Sequence, residues 1–152
     1  MQKQFALLMY ELGQELDIDL EVDVMNACTI LLEEKFRVQF EIDEYKNQLT
    51  MACIISVIPP GKFREKILAT ALKINGVYPR AGAFGYNEMA NELILFYNFS
   101  LDELTGEKIS NHMGIFLDIS NQFKNAIDTG DIASIISNFF KEKSFDPFNI
   151  NG

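Results

Sequence analysis

The sequence predicts an α+β fold: an antiparallel sheet with helices packed on it, in the order α-βββ-α-ββ-α, plus one extra C-terminal helix. Three observations point there. Apolar residues recur at helical spacing over residues 3–16, 62–75 and 109–127, and alternate at strand spacing over 36–42 and 48–57. The linkers between the first three extended segments, Glu33-Glu34-Lys35 and Asp43–Asn47, are short and polar, which suits an antiparallel meander and excludes crossovers. At 152 residues, 48 % hydrophobic and 12 % aromatic, the chain can fill one core. Residues 1–128 are expected to form that domain, and 129–152 a C-terminal helix and polar tail.

The first helix, 3–16, places Phe5, Leu8, Met9, Leu12 and Leu16 on one stripe about 100° wide, the width needed to lie on a single layer. Leu7 and Tyr10 fall outside it, either as part-exposed apolar residues or as a binding surface. An acidic connector, Asp17–Asp23, follows. Ala27–Leu32 is apolar on both faces. Phe36–Ile42 points Phe36, Val38, Phe40 and Ile42 inward, and Gln48–Val57 does the same with Leu49, Met51, Cys53, Ile55 and Val57. Ile58-Pro59-Pro60-Gly61 stops that strand, because proline fixes φ and donates no backbone hydrogen bond.

The central helix runs from Lys62 to a left-handed exit expected at Asn75-Gly76. Phe63, Ile67 and Ile74 form one apolar stripe, Leu68 and Leu72 a second, with Ala71 between, so roughly half the cylinder is apolar. Such an arc needs a second partner beyond one sheet, and a second copy of the chain is the expected one. Arg80–Gly85 reads as a Gly-rich turn. In the strand Glu92–Phe99, Leu93, Leu95, Tyr97 and Phe99 face the core, while Ile94 and Phe96 make an apolar opposite face. Ser100-Leu101-Asp102-Glu103 has the pattern of a capping box for the last long helix, which Gly106 would interrupt and Thr129-Gly130 would end. Asp131 is placed to cap a short helix with Ile132, Ile135, Ile136, Phe139 and Phe140 on one stripe.

The net charge of −9 disfavours nucleic acid and anionic membranes as partners. It is unevenly spread: residues 51–80 hold five Lys/Arg against one Asp/Glu, while 1–50 hold four against eleven and 81–152 four against ten. The central helix is thus a basic island. Cys28 and Cys53 lie in apolar strand-like sequence and read as buried thiols rather than a disulfide. Acidic residues from Glu11 onward leave no room for a signal peptide, and the apolar run Leu49–Ile58 is far shorter than the ~20 residues that cross a bilayer. A cytoplasmic protein is expected.

No catalytic constellation emerges. The lone His112 has no sequence-adjacent His/Cys/Asp partners for a metal, and a Cys–His nucleophilic pair would need a buried thiol to meet it. Glu33-Glu34 and Asp43-Glu44 read as solvated loop charges rather than a tuned acid/base pair. Arg80–Gly85 lacks both the Gly-x-Gly-x-x-Gly and the Walker-type patterns.

The run FREKILATALKING (63–76), the Gly-rich turn after it and ELILFYNFSLDELTGEKI (92–109) resemble class I type III secretion chaperones, the CesT/Tir chaperone family. The sequence looks most like the chlamydial branch that includes the multiple cargo secretion chaperone. The resemblance covers roughly residues 1–128. It implies a cytoplasmic bacterial homodimer without enzymatic activity or cofactor. Such a dimer holds the N-terminal segment of type III secretion effectors in extended, secretion-competent form. It also implies contact with the secretion ATPase or another apparatus component, and neither nucleic-acid binding nor membrane insertion. Residue by residue, Leu68, Ala71, Leu72, Ile94 and Phe96 become dimer candidates. Leu7, Tyr10, Ile30, Leu32, Phe36, Val38 and Phe40 become effector-groove candidates, although Phe36, Val38 and Phe40 equally suit the core face. Two other readings stand beside it: a non-secretory regulatory or scaffold domain of similar fold, and a small hydrolase using Cys28 or Cys53.

Overall fold

The computed structural model of the chain describes residues 2–77 and 81–140. Helix α1 (Gln2–Leu16) precedes the strands β1 (Ala27–Leu32), β2 (Phe36–Asp43) and β3 (Gln48–Val57). Helix α2 (Lys62–Val77) leads into β4 (Ala83–Asn87) and β5 (Glu92–Ser100), and the helices α3 (Gly106–Thr129) and α4 (Ala133–Phe140) follow. All strand pairs are antiparallel, and the five strands lie in the order β1-β2-β3-β5-β4. The expected meander is β1–β2–β3.

The alternation read from β2 and β3 sorts the two sheet faces. Phe36, Val38, Phe40, Leu49, Met51, Cys53 and Ile55 are buried on the face that α3 covers, together with Leu93, Leu95 and Phe99 of β5. Val57, expected to continue that face, is 59 % exposed. The cause is a bulge: Ile54 pairs with Ile94 but Ser56 with Leu93, so one extra residue turns the end of β3 over. On α1 the expected stripe is the covered one, with Phe5, Leu8, Met9 and Leu12 buried and Leu16 partly buried, but it lies chiefly against α3 where a sheet was expected. Burying each such side chain contributes roughly 1.5–3 kcal/mol.

Several boundaries differ from the sequence reading. Gly76 lies inside α2 and is not left-handed, so the helix continues to Val77. Ala83–Asn87, within and beyond the expected turn, is an edge strand. Gly82 before it has φ 147°, and a Cβ there would sit 2.6 Å from the Phe96 carbonyl oxygen, so only glycine lets β4 start so close to β5. Ser100 belongs to β5 and does not cap α3. Its Oγ accepts only from Asp102 N (3.3 Å), whereas the Thr105 side chain accepts from Lys108 N (3.2 Å) and is the true N-cap. Gly106 opens α3 instead of breaking it. It touches α1 so closely that a Cβ would lie 2.5 Å from Glu11 C, and its N–H donates to the Glu11 carboxylate (2.9 Å). The long helix ends at Gly130, as expected, in a left-handed cap whose N–H returns to the Ala126 carbonyl.

Helix α4 folds back on α3. Ile135 is buried at 1 % exposure and Ile132 is partly buried against the core, while Ile136 remains about half exposed. The expected stripe residues Phe139 and Phe140 lie outside the described side chains, and residues 141–152 outside the described chain.

Candidate functional site

The two ends of the sheet are treated differently by the sequence. At the β4 end, Asn75 of α2 acts as a substitute strand: its Nδ2 donates to the Phe84 carbonyl (3.1 Å) and its Oδ1 accepts from Phe84 N (2.7 Å). Both backbone groups of Phe84 therefore point away from β5, towards the free side of β4, and the amide occupies them, with α2 packed alongside this short strand. At the β1 end, Asp23 occupies only the first residue, since Asp23 N donates to the Ala27 carbonyl (2.8 Å) and Ala27 N donates to Asp23 Oδ1 (3.0 Å). Ala27 thus faces away from β2, and by alternation so do the N–H and C=O groups of Thr29 and Leu31. Among the described residues no strand lies beyond β1. The edge is open.

Most sheet residues proposed as an effector groove are core. Ile30, Phe36, Val38 and Phe40 are at most 5 % exposed, and Leu32 is half-buried against the same cluster. The alternation assigned Phe36, Val38 and Phe40 to the inner face, and in a single copy these residues and Ile30 are covered there. Leu7 and Tyr10 do stand out from α1, at 56 % and 64 % exposure. The accessible apolar residue on β1 is Leu31, at 64 %, which the sequence reading did not single out. Its only sequence signal is that Ala27–Leu32 is apolar on both faces.

The dimer candidates also divide. Ala71 is 2 % exposed inside the core of a single copy and has no surface to give. Leu68 is half-buried against the core, and Leu72 is 70 % exposed. The wide apolar arc of α2 is thus one buried face plus one outlying leucine, flanked on the outer surface by Ala69, Lys73 and Gly76. Ile94 and Phe96 are half-buried on the outer sheet face, opposite Ile54 and Ala52 respectively. A Cβ on Gly85 would touch the Phe96 ring at 3.5 Å, so the missing side chain lets that ring lie flat on β4. Ile54, Ile94, Phe96 and Ala52 make a patch no element in the described chain covers.

The titratable groups do not assemble into a reactive site. Burial, opposed by the Ser120 hydroxyl and Lys124, pushes the Cys53 thiol up to about 11, and burial with the nearby Asp23 charge raises Cys28. Both are free buried thiols that stay protonated near neutrality, which removes the nucleophile from the hydrolase reading. His112 stacks on Tyr97 (centroids 3.8 Å) and meets the edge of Phe99 (5.4 Å), while its Nε2 donates to the Ala81 carbonyl (3.0 Å). It pins α3 to β5 and to the start of the β4 segment. No group of three metal-ligating side chains occurs among the described residues. An open groove of about 470 Å³ at the β2–β3 turn is lined by Met25, Ile42 and Tyr45 among the carboxylates of Glu41, Asp43 and Glu44. It is too open to enclose a small molecule.

Among the described residues, the open β1 edge and the exposed apolar pair on α1 are surfaces of the kind that bind polypeptide. The chain belongs to the Tir chaperone protein (CesT) family, whose model matches residues 8–124. Among solved structures, it resembles a chain of the HopA1–SchA chaperone–effector complex with a TM-score of 0.67 at 16 % identity, over 82 % of this chain and 96 % of that one. A chain of the ExsC–ExsE complex matches with a TM-score of 0.66 at 19 % identity, over 82 % and 93 %. A third, from the complex of the Yersinia pestis type III secretion chaperone SycH with a fragment of YscM2, gives 0.62 at 12 %, over 78 % and 98 %. No curated protein matches the chain in sequence. No helix among the described residues is long and apolar enough to cross a membrane.

Proposed function

We propose that this protein is a cytoplasmic, homodimeric chaperone that holds the N-terminal segment of a type III secretion effector in extended form. The open edge of β1 carries the reading. The free N–H and C=O groups of Thr29 and Leu31 offer an extended segment main-chain hydrogen bonds, and the exposed Leu31 side chain offers an apolar contact that reads alternate client residues. Leu7 and Tyr10 give a second apolar foothold on α1. Family membership and the structural likeness to chains from chaperone–effector complexes support it. Leu72, the accessible part of Leu68, and Ile94 and Phe96 are the surfaces left for a second copy; docking on the secretion ATPase is a further partner of the same reading.

The test is co-expression with the N-terminal ~100 residues of an effector encoded beside the chaperone gene, followed by limited proteolysis. The expected result is a protease-resistant client segment that stays unfolded. Thr29→Pro removes one outward N–H while leaving the β1–β2 ladder, so it should weaken client binding at least about tenfold with little change in melting temperature. Undiminished binding by Thr29→Pro would refute the edge as the client site. Capture of folded partners alone would favour a scaffold instead.

A further inference from the structure

Nothing inside a single copy requires glycine at position 76. Gly76 lies within α2 with a φ outside the left-handed region, it is exposed, and a Cβ built there would meet no atom within 4 Å. Helix propensity alone would favour alanine. What the glycine brings is chemistry. It follows Asn75. Asparagine is thermolabile, and most so before glycine, where no Cβ hinders the next backbone nitrogen from reaching the side-chain amide carbon.

The fold engages the groups this reaction needs. Asn75 Nδ2 donates to the Phe84 carbonyl (3.1 Å) and Asn75 Oδ1 accepts from Phe84 N (2.7 Å), so the amide is held towards β4. The i→i−4 pattern of α2 turns the Gly76 N–H to the Leu72 carbonyl. Both restraints sit in the last turn of a helix that ends at Val77, and helix ends fray first. One local opening there frees the amide and the nitrogen together. Gly76 is exposed and Asn75 only partly buried, so water reaches the pair.

We propose that Asn75-Gly76 is a deamidation site gated by the hydrogen bonds that tie the end of α2 to β4. The Gly76 nitrogen gives up its proton and bonds to Asn75 Cγ; the Cγ–Nδ2 bond breaks, and Nδ2 leaves with that proton as ammonia. Water then opens the cyclic imide at either carbonyl, which leaves an aspartyl or an isoaspartyl residue at position 75. No electrons are exchanged with another reagent. The product cannot rebuild the clamp, because a carboxylate only accepts. One oxygen can still meet the Phe84 N–H, but the other faces the Phe84 carbonyl to which Nδ2 had donated. None of this depends on the chaperone function.

The test follows the full chain, without client, by peptide mass spectrometry at neutral pH. Peptides are separated because Asn151-Gly152 is a second Asn-Gly pair in the sequence. Expected at position 75 are both aspartyl and isoaspartyl products, formed in the folded chain at least about tenfold more slowly than in denaturing guanidinium. Subdenaturing guanidinium should speed this conversion and the Phe84 amide exchange, read by NMR, in parallel. In the denatured chain Gly76→Ala should slow conversion at least about tenfold, which marks attack by the backbone nitrogen. Asn75→Asp, which carries the product's carboxylate, should raise Phe84 exchange about tenfold. Equal conversion in folded and denatured chains, or none in the folded chain at any subdenaturing concentration, would overturn the gated site. So would conversion that rises while Phe84 exchange stays constant, or that ignores Gly76→Ala. Parental Phe84 exchange in Asn75→Asp would overturn the lost clamp.

Discussion

The tightest point of the fold is where α3 begins against α1, and a pair of glycine substitutions tests it. In Gly106→Ala the new Cβ would stand 2.5 Å from Glu11 C, Glu11 Cβ and Leu12 N. Two of those three atoms are backbone, so no side chain can swing aside and the helices must separate. Overpacking of this kind costs about 1–3 kcal/mol. Separation also stretches the bond from Gly106 N to the Glu11 carboxylate (2.9 Å), and a charge-assisted bond contributes about 1.5–3 kcal/mol. Against this stands at most ~1 kcal/mol of helix propensity gained by alanine. The net expectation is a loss of about 2–4 kcal/mol. At ~2–4 °C per kcal/mol for a chain of this size, the melting temperature should fall by roughly 5–15 °C. Gly114→Ala is the internal control: it lies in the same helix, exposed, with nothing within 4 Å of a Cβ. It should stabilise by about 0.5–1 kcal/mol. Thermal and urea melts at one fixed protein concentration decide the matter. A Gly106→Ala protein melting at or above the parent would refute the close approach of the two helices.

Other perturbations separate core from surface. Leu72→Asp should leave each copy folded, since Leu72 is 70 % exposed, but should convert the proposed dimer to monomer in light scattering; Ala71→Asp, at 2 % exposure, should unfold the chain. Asn75→Ala strips both partners from Phe84 and should cost about 1–3 kcal/mol in a urea melt, with faster exchange at the Phe84 amide. The Cys53 thiol, raised from its ordinary 9.0 to about 11, is favoured folded in its neutral form. Its contribution is therefore complete below about pH 9 and lost as pH climbs to about 11, up to roughly 2–3 kcal/mol. Cys53→Ala should flatten that alkaline fall, read from melts between pH 8 and 11.

What the sequence made legible was periodicity. Clean alternation in Phe36–Ile42 and Gln48–Val57, and the single stripe of Phe5, Leu8, Met9 and Leu12, each settled an element and its buried side. Features set by contacts between distant residues were not legible. β4 is short and glycine-bearing, and it is a strand because it pairs with β5, while Asn75, nine residues earlier, holds Phe84 from the other side. Ser100–Glu103 has cap chemistry, but its serine is held in β5 by pairing with Gln48, so the cap falls to Thr105. Which side chains stay accessible was not legible for the same reason. Alternation tells which residues share a face, not whether helices have already filled it, and so Phe36, Val38 and Phe40 went to the core while Leu31 was left outside. For α2, an apolar arc measured on a bare cylinder overstated the free face, because Leu68 leans back on its own core.

The partly occupied β4 edge has a consequence for how the protein fails. A sheet with two free edges is divalent: each copy can join a neighbour on either side, and the chain of copies has no natural end. With Asn75 seated on Phe84, the short β4 edge offers a neighbour less free ladder than β1 does, so among the described residues the sheet is biased towards pairing through β1. Misplaced pairing of two copies through β1 uses up the freer side of each and favours a closed pair. Growth into a fibre through sheet edges is thereby disfavoured, and one asparagine side chain contributes to that bias.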